Sequence, residues 1–334
     1  MEANIKLSTS EIGNLWTAYM NDSMAICVLH HFLQHIKDLE IKENVQVALQ
    51  ISEQHVRDIE VIFNKEHIAI PHGFNLQDDV NLKAPKLFSD TFCLYYVHNM
   101  AKIGGNSFTL ALANSARDDI RHFFTKCGEK TMKLFNTCAN TMLSKGLFLR
   151  PPQIEAPTKV DYVKKQNFLT GWLGERRPLT SIEIMNLFFN IERNQLGKSL
   201  ITAFSQVAEK EEVVKYLLRG VEISSKHIEI FGSILSEGEL PSPMTWDTLP
   251  TSSTARTFSD KLIMFHISAL TAASVSHYGT SLGTSPRRDI GLHYNRLMHE
   301  VMFYAEDGAN ILIDHGWMEQ PPQSVSRRGL AHRE

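Results

Sequence analysis

Two stretches of this chain repeat one another at a distance of 170 residues, and that spacing limits the fold more than any single motif does. The first stretch opens with Phe88-Ser89-Asp90 and closes with Pro151-Pro152-Gln153; the second opens with Phe258-Ser259-Asp260 and closes with Pro321-Pro322-Gln323. Between these ends Asp119-Ile120 recurs as Asp289-Ile290, and Gly146 recurs as Gly316. Nearer the start of each copy the displacement is 172: Ser8-Thr9-Ser10-Glu11 returns as Thr180-Ser181-Ile182-Glu183, and His55 returns as His227. A spacing kept from end to end means that one structural unit is built twice.

Each copy carries four helical patterns. The first starts at the capping box Ser8–Glu11, where a hydroxyl accepts from the backbone three residues on and the glutamate reaches back. Apolar residues then follow at helical spacing through Leu15, Tyr19, Ile26 and Leu33, which predicts a helix to about Leu39. The second runs over about Glu43–Lys65, and its counterpart over about Glu211–Glu237. A loop of about twenty residues follows, broken by Pro71 in one copy and by Pro241 and Pro243 in the other, with Phe74 and Trp246 at matching places. The third helix opens at Ser89 or Ser259, good N-cap residues. The small residues Gly104-Gly105 and Ala273 on this helix allow a close neighbour. Ser115 and Ser285 are the expected caps of the fourth helix, with Pro286 just inside its second version. Gly146-Leu147 and Gly316-Trp317 have the form of left-handed C-terminal caps.

Amphipathic helices must bury their stripes on one another. The expected fold is therefore all-α: two tandem ferritin-like four-helix bundles related by internal duplication, each with its long crossover between the second and third helices. The boundaries follow as 1–153 for the first bundle, 154–178 for a linker, 179–323 for the second bundle and 324–334 for a flexible tail. The linker holds Tyr162-Val163, Phe168-Leu169 and Gly171-Trp172-Leu173-Gly174, apolar enough to predict that it packs along the bundles.

Bulk properties exclude several functions. A chain of 334 residues suits about two domains. Its formal charge of −3 offers no basic face for nucleic acid. No run nears the ~20 apolar residues of a membrane span, and the first residues have no apolar signal core, so a soluble cytoplasmic chain is expected. All four cysteines, Cys27, Cys93, Cys127 and Cys138, lie in the first copy and none falls in a Cys-x-x-Cys pair. Free, packed thiols are expected rather than a disulfide framework or a zinc ribbon.

Several phrases also resemble a known family. They are Phe168-Leu169-Thr170-Gly171-Trp172-Leu173-Gly174, Leu240-Pro241-Ser242-Pro243-Met244-Thr245-Trp246-Asp247, Ser285-Pro286-Arg287-Arg288-Asp289, Tyr304-Ala305-Glu306-Asp307-Gly308-Ala309-Asn310 and Gly316-Trp317-Met318-Glu319-Gln320-Pro321-Pro322. Together they resemble the domain of unknown function 3231 of endospore-forming bacteria, which is similar to the spore coat protein F group. The resemblance implies tandem ferritin-like bundles and a bacterial, spore-associated setting. Self-association or contact with other spore proteins is the partner expectation it brings. It supplies no reaction and no catalytic residue.

The candidate chemistry is narrow. A carboxylate-bridged di-metal site needs Glu-x-x-His on two helices, and no histidine here has a glutamate three residues before it. His227, His266 and His293 fall on or beside the inner faces of three helices in the second bundle, with Glu192, Glu222 and Tyr304 near them. Three imidazoles of that kind are candidate ligands for a divalent metal; the reading favoured over it is that each is a buried polar group bonded to a neighbouring serine or tyrosine. His55 and His227, the only histidines shared by both copies, are expected to be buried and neutral. Arg287-Arg288 at a helix start can bind an anion or pair with Asp289, Glu306 or Asp307. The expectation is a non-enzymatic structural or interaction protein with no cofactor. The alternatives are a ferritin-like oxidoreductase with a non-standard histidine site, or a small-molecule-binding bundle.

Overall fold

The computed structural model of the chain describes residues 5–171, 176–243 and 249–332. Trp246 and the segment Trp172-Leu173-Gly174, singled out above, lie outside the described residues, as does Arg333 of the tail. The first half contains α1 (Thr9–His35), α2 (Leu39–Lys65), the single turn α3 (Leu76–Asp79), α4 (Asp90–Ala113) and α5 (Asp118–Ser144). A 3-10 turn, Gln166–Leu169, precedes the second half, α6 (Ser181–Val207), α7 (Glu211–Glu237), α8 (Asp260–Thr284) and α9 (Arg288–Asp314), and α10 (Arg327–His332) follows. The architecture is all-helical, in two similar four-helix bundles. Each has its long connection between the second and third long helices, as in a ferritin-like unit.

The capping boxes form as expected: Ser8 with Glu11 and Thr180 with Glu183. Gly146 and Gly316 adopt φ of +67° and +64°, and the amides of Leu147 and Trp317 donate back to Met142 and Leu312, each at 2.8 Å. Two expected boundaries are displaced. The first helix ends at His35, and Asp38 caps α2 by accepting from the amides of Glu40 and Ile41. The Asp90 carboxylate at the start of α4 accepts from the amides of Lys37 and Asp38, both at 2.9 Å, which holds the three-residue corner closed. Asp260 does the same for Glu209 and Lys210 in the second half.

Ser115 and Ser285 are not the caps of α5 and α9. The Ser115 hydroxyl donates to the Ala111 carbonyl at the end of α4, and Ser285 closes α8. The free amides of the next helix turn instead to the capping-box glutamates: Glu11 accepts from Ala116 and Arg117, and Glu183 accepts from Arg287. One carboxylate thus serves two helix starts, which leaves the serines free for the preceding C-terminus. Pro286 accordingly lies outside α9, not inside it.

The helices divide into two kinds. On α2, α5, α7 and α9 the buried residues form one stripe, but α4 and α8 are buried around most of their circumference in their first halves, α1 in its second half and α6 along most of its length. The four alike helices expected per copy are therefore two outer and two inner ones. The inner helices are enclosed because the bundles meet there, α1 against α8 and α4 against α6.

The meeting is a pseudo-twofold. Ser89 N–H donates to the Leu249 carbonyl and Ser259 N–H to the Asp79 carbonyl, each at 3.0 Å. Asn81 N–H donates to Thr257 and Thr251 N–H to Leu87, at 2.8 and 2.9 Å. Isolated antiparallel bridges join Val80 to Phe258 and Phe88 to Pro250. In each pair the two contacts exchange under the 170-residue displacement, the reciprocity of an isologous interface. Inside it Phe32, Phe88, Phe92, Phe204 and Phe258 are at most 2% exposed and form one aromatic chain. Burying each is worth about 1.5–3 kcal/mol.

The packed linker expected over 154–178 is confined to its end. Residues 155–167 are exposed, Tyr162, Val163, Lys164 and Lys165 among them. From Phe168 onward the chain docks: the Arg177 guanidinium lies 4.0 Å over the Phe168 ring, and Gly171 is buried against Asp289. The tail carries the short helix α10. The four cysteines are buried and free, and burial pushes the Cys27 and Cys138 thiols up to about 12.

Candidate functional site

His227 lies at the centre of the second bundle with no exposed surface. The Asn194 side-chain amide donates to the Tyr278 hydroxyl at 2.7 Å, so the hydroxyl's own proton points to His227 Nδ1, 2.9 Å away. That leaves the ring proton on Nε2, which donates to Glu300 Oε2 at 3.1 Å. Lys226 completes the line at 2.7 Å from Glu300. Burial drives the His227 pKa below its ordinary value, against the opposing pull of Glu300, so the ring is neutral at pH 7. Burial works against the charge of Glu300, but Lys226 and His227 hold it below the usual carboxylate range.

The first bundle solves the same problem differently. His55 is 2% exposed, and its Nδ1 meets Asp22 Oδ2 directly at 3.1 Å. Asp22 occupies the position of Asn194, and the hydroxyl-free Phe108 occupies that of Tyr278, its ring 5.1 Å from the imidazole. Where the acid is present the hydroxyl is missing, and where the amide is present a tyrosine bridges the gap.

The histidines of the second bundle do not converge. His266 is 3% exposed and shares a hydrogen bond with Tyr96 of the first half, Nε2 to hydroxyl at 3.2 Å; burial lowers its pKa to about 3. His293 is half-buried on α9, and its pKa is lowered by burial and by Arg296. Among the described residues no group of three His, Cys, Asp or Glu side chains could share a metal ion. The structure does not bring the candidate metal set His227, His266 and His293 together: His227 bonds Tyr278 and Glu300, His266 bonds Tyr96, and His293 lies half-buried on α9. Of the acids considered with them, Glu192 is held by Lys102 at 3.2 Å and Glu222 is exposed. Tyr304 stacks on Tyr216 with centroids 4.2 Å apart, and each hydroxyl donates to the other's carbonyl.

Arg287 is 4% exposed and grips Asp289 through Nε and Nη2 at 3.0 and 2.6 Å. Arg117 and Asp119 repeat that grip at the same two distances in the first bundle. Arg288, beside it, is exposed. A cavity of about 80 Å³ opens between α4, α6, α7, α8 and α9, lined among others by Asn99, Arg193, Ser224, His227 and His277. Sequence reasoning missed Asn194, Tyr278, Glu300 and Arg193. The signal available for the first two was their place opposite Asp22 and Phe108 in the duplicated frame.

The family profile described as "Protein of unknown function (DUF3231)" matches residues 1–160 and again 167–330. The chain belongs to this family. The two matches fall on the two bundles, so one family unit is one bundle with its crossover. No curated protein matches the chain. Among solved structures, a candidate spore coat protein of Bacillus halodurans is similar at 15% identity and a TM-score of 0.43, over 45% of this chain and 98% of that one. For this DUF3231 member, no helix among the described residues is long and apolar enough to cross a membrane.

Proposed function

We propose that the protein is a non-enzymatic structural or interaction component of spore-forming bacteria, in which two family units are fused into one body. The observation that carries this reading is how the bundle centres use their polar groups. Asn194, Tyr278, His227 and Glu300 bond to one another in line, and Asp22 bonds to His55. Such networks hold helices in register, and in the second bundle both nitrogens of His227 are engaged within one. The spore setting rests on the family resemblance.

Metal analysis of protein purified without chelator tests the non-enzymatic part. Iron, manganese or zinc is expected well below one equivalent. A stoichiometric ion that His227→Gln removes would overturn the reading in favour of an oxidoreductase. Immunoblots of purified spores and of vegetative cells test the setting; a signal confined to vegetative cells would exclude a spore component.

A further inference from the structure

The cavity holds a group of polar side chains that the fold leaves without partners. Arg193 on α6 has no hydrogen bond and no ion pair among the described residues. It is buried enough that desolvation pulls its pKa below the usual value. A guanidinium stays charged in a protein, and a desolvated charge is normally paired. Its neighbour Glu192 acts on it only through space, without a hydrogen bond; both carboxylate oxygens lie 3.2 Å from Lys102 Nζ. His277 and Ser224 on the lining, and Asn99 from the first half, likewise make no hydrogen bond among the described residues. Asn99, Arg193 and His277 are half-buried, and polar groups that line a cavity without a protein partner are free to bond to a molecule inside it.

The charge of the lining is that of Arg193, with the Lys102–Glu192 pair next to it but outside the lining, and it selects the ligand. Arg193 and Lys102 are opposed by Glu192 alone, and burial together with those two cations lowers His277 to about 4. At pH 7 the His277 ring is neutral and can donate one proton. His227 takes no part, since both its ring nitrogens are already engaged. The volume of about 80 Å³ admits about two or three waters at ~30 Å³ each, or an anion of the size of acetate or phosphate.

The duplication supplies an internal control. In the first copy's frame Arg193 becomes Asn21, His277 becomes Ser107 and Asn99 becomes Ala269. The Asn21 side chain simply donates to the Thr17 carbonyl of its own helix. The bundle therefore forms without these groups, and packing does not account for them in the second copy.

We propose that this cavity is a binding site for a small oxyanion, a carboxylate or a phosphate-like ion, with Arg193 as the charged ligand and Asn99, Ser224 and His277 as its polar partners. The guanidinium presents two parallel N–H groups, the geometry that carboxylate and phosphate oxygens accept. The site joins the halves, because Asn99 comes from α4 and the other three come from the second bundle.

Isothermal titration of the full chain with sodium acetate, inorganic phosphate and sulfate, at ionic strength fixed with chloride, tests the proposal. Saturable binding of at least one of these anions is expected. Arg193→Gln should weaken it at least tenfold and Asn99→Ala severalfold, while Arg288→Gln, on the exposed helix start, leaves it unchanged. Acetate alone, phosphate or sulfate alone, or both kinds each support the site and define its class. Non-specific stabilisation by phosphate or sulfate acts on all variants alike and does not saturate. In anion-free buffer Arg193→Gln should be at least as stable as the parent, since it removes an unpaired charge. No saturable binding of any of the three, equal binding by Arg193→Gln, or a marked loss of its melting temperature without anion would overturn the proposal.

Discussion

Mild acid should destabilise this protein before any carboxylate titrates. His31, His98 and His266 are 1%, 2% and 3% exposed. Burial holds their pKa values at about 4, 3 and 3, with His35 and Lys102 adding to the effect at the first two. In the unfolded chain each ring takes a proton near pH 6.5. Below that pH protons bind the unfolded state first, so stability falls as pH falls, and continues to fall until the folded pKa is reached. Between pH 7.5 and 5.5 each ring removes about 1.4 kcal/mol, and the three together remove about 4 kcal/mol. That is a large part of the ~5–15 kcal/mol typical of a domain. The lowered pKa values of His227 and His293 act in the same direction. Glu183 and Asp289, whose pKa values lie below the ordinary carboxylate range, lose their contribution only at still lower pH. Urea unfolding followed by circular dichroism at pH 7.5, 6.5 and 5.5 measures the slope directly. His266→Phe should flatten it by about a third, whatever it does to stability at pH 7.5. An unfolding free energy constant to within ~1 kcal/mol over this range would refute the reasoning, as would an unchanged slope in His266→Phe.

Three further outcomes follow from the duplicated architecture. Tyr278→Phe strands His227 Nδ1 and the Asn194 amide and should cost about 1–3 kcal/mol; adding Asn194→Asp recreates the Asp22–His55–Phe108 arrangement and should recover part of it in a double-mutant cycle of denaturant midpoints. Gly308→Ala places a methyl group inside the Tyr216 ring contact and should cost about 1–3 kcal/mol, lowering the melting temperature. Residues 1–160 produced alone lose the Phe204 and His266 partners of Phe88 and Tyr96 and should associate into dimers by light scattering, whereas a folded monomer at micromolar concentration would show that the bundles do not depend on each other.

Much of this structure was legible because it depends on neighbours in sequence. The capping boxes at Ser8 and Thr180 and the glycine caps at Gly146 and Gly316 need only a few consecutive residues, and the duplicated frame multiplied each signal. What stayed hidden depends on distant residues. Glu11 and Glu183 cap a second helix that lies more than a hundred residues away in sequence, and nothing near Ser115 announces this. The enclosed inner helices were read as ordinary amphipathic ones, because periodicity cannot register a second bundle on the far side. Helical spacing put His227, His266 and His293 on inward faces. Their partners Tyr278, Glu300 and Tyr96 were set by tertiary packing, and those partners separate a bonded histidine from a metal ligand.

The contact between Tyr96 and His266 lies on the pseudo-twofold itself, since the two residues occupy equivalent positions. In a dimer of identical chains that position must face its own copy, tyrosine to tyrosine or histidine to histidine. A phenol against an imidazole, donor against acceptor, is closed to that dimer and open to two halves of different sequence. Joining also removes dilution as a route to separation, because the second half is always present at the effective concentration its linker sets. Once every substitution could enter one half at a time, Asp22 and Asn194, or Asn21 and Arg193, were free to take different courses. The exposed segment 155–167 is the covalent link that allows the two halves to be unequal.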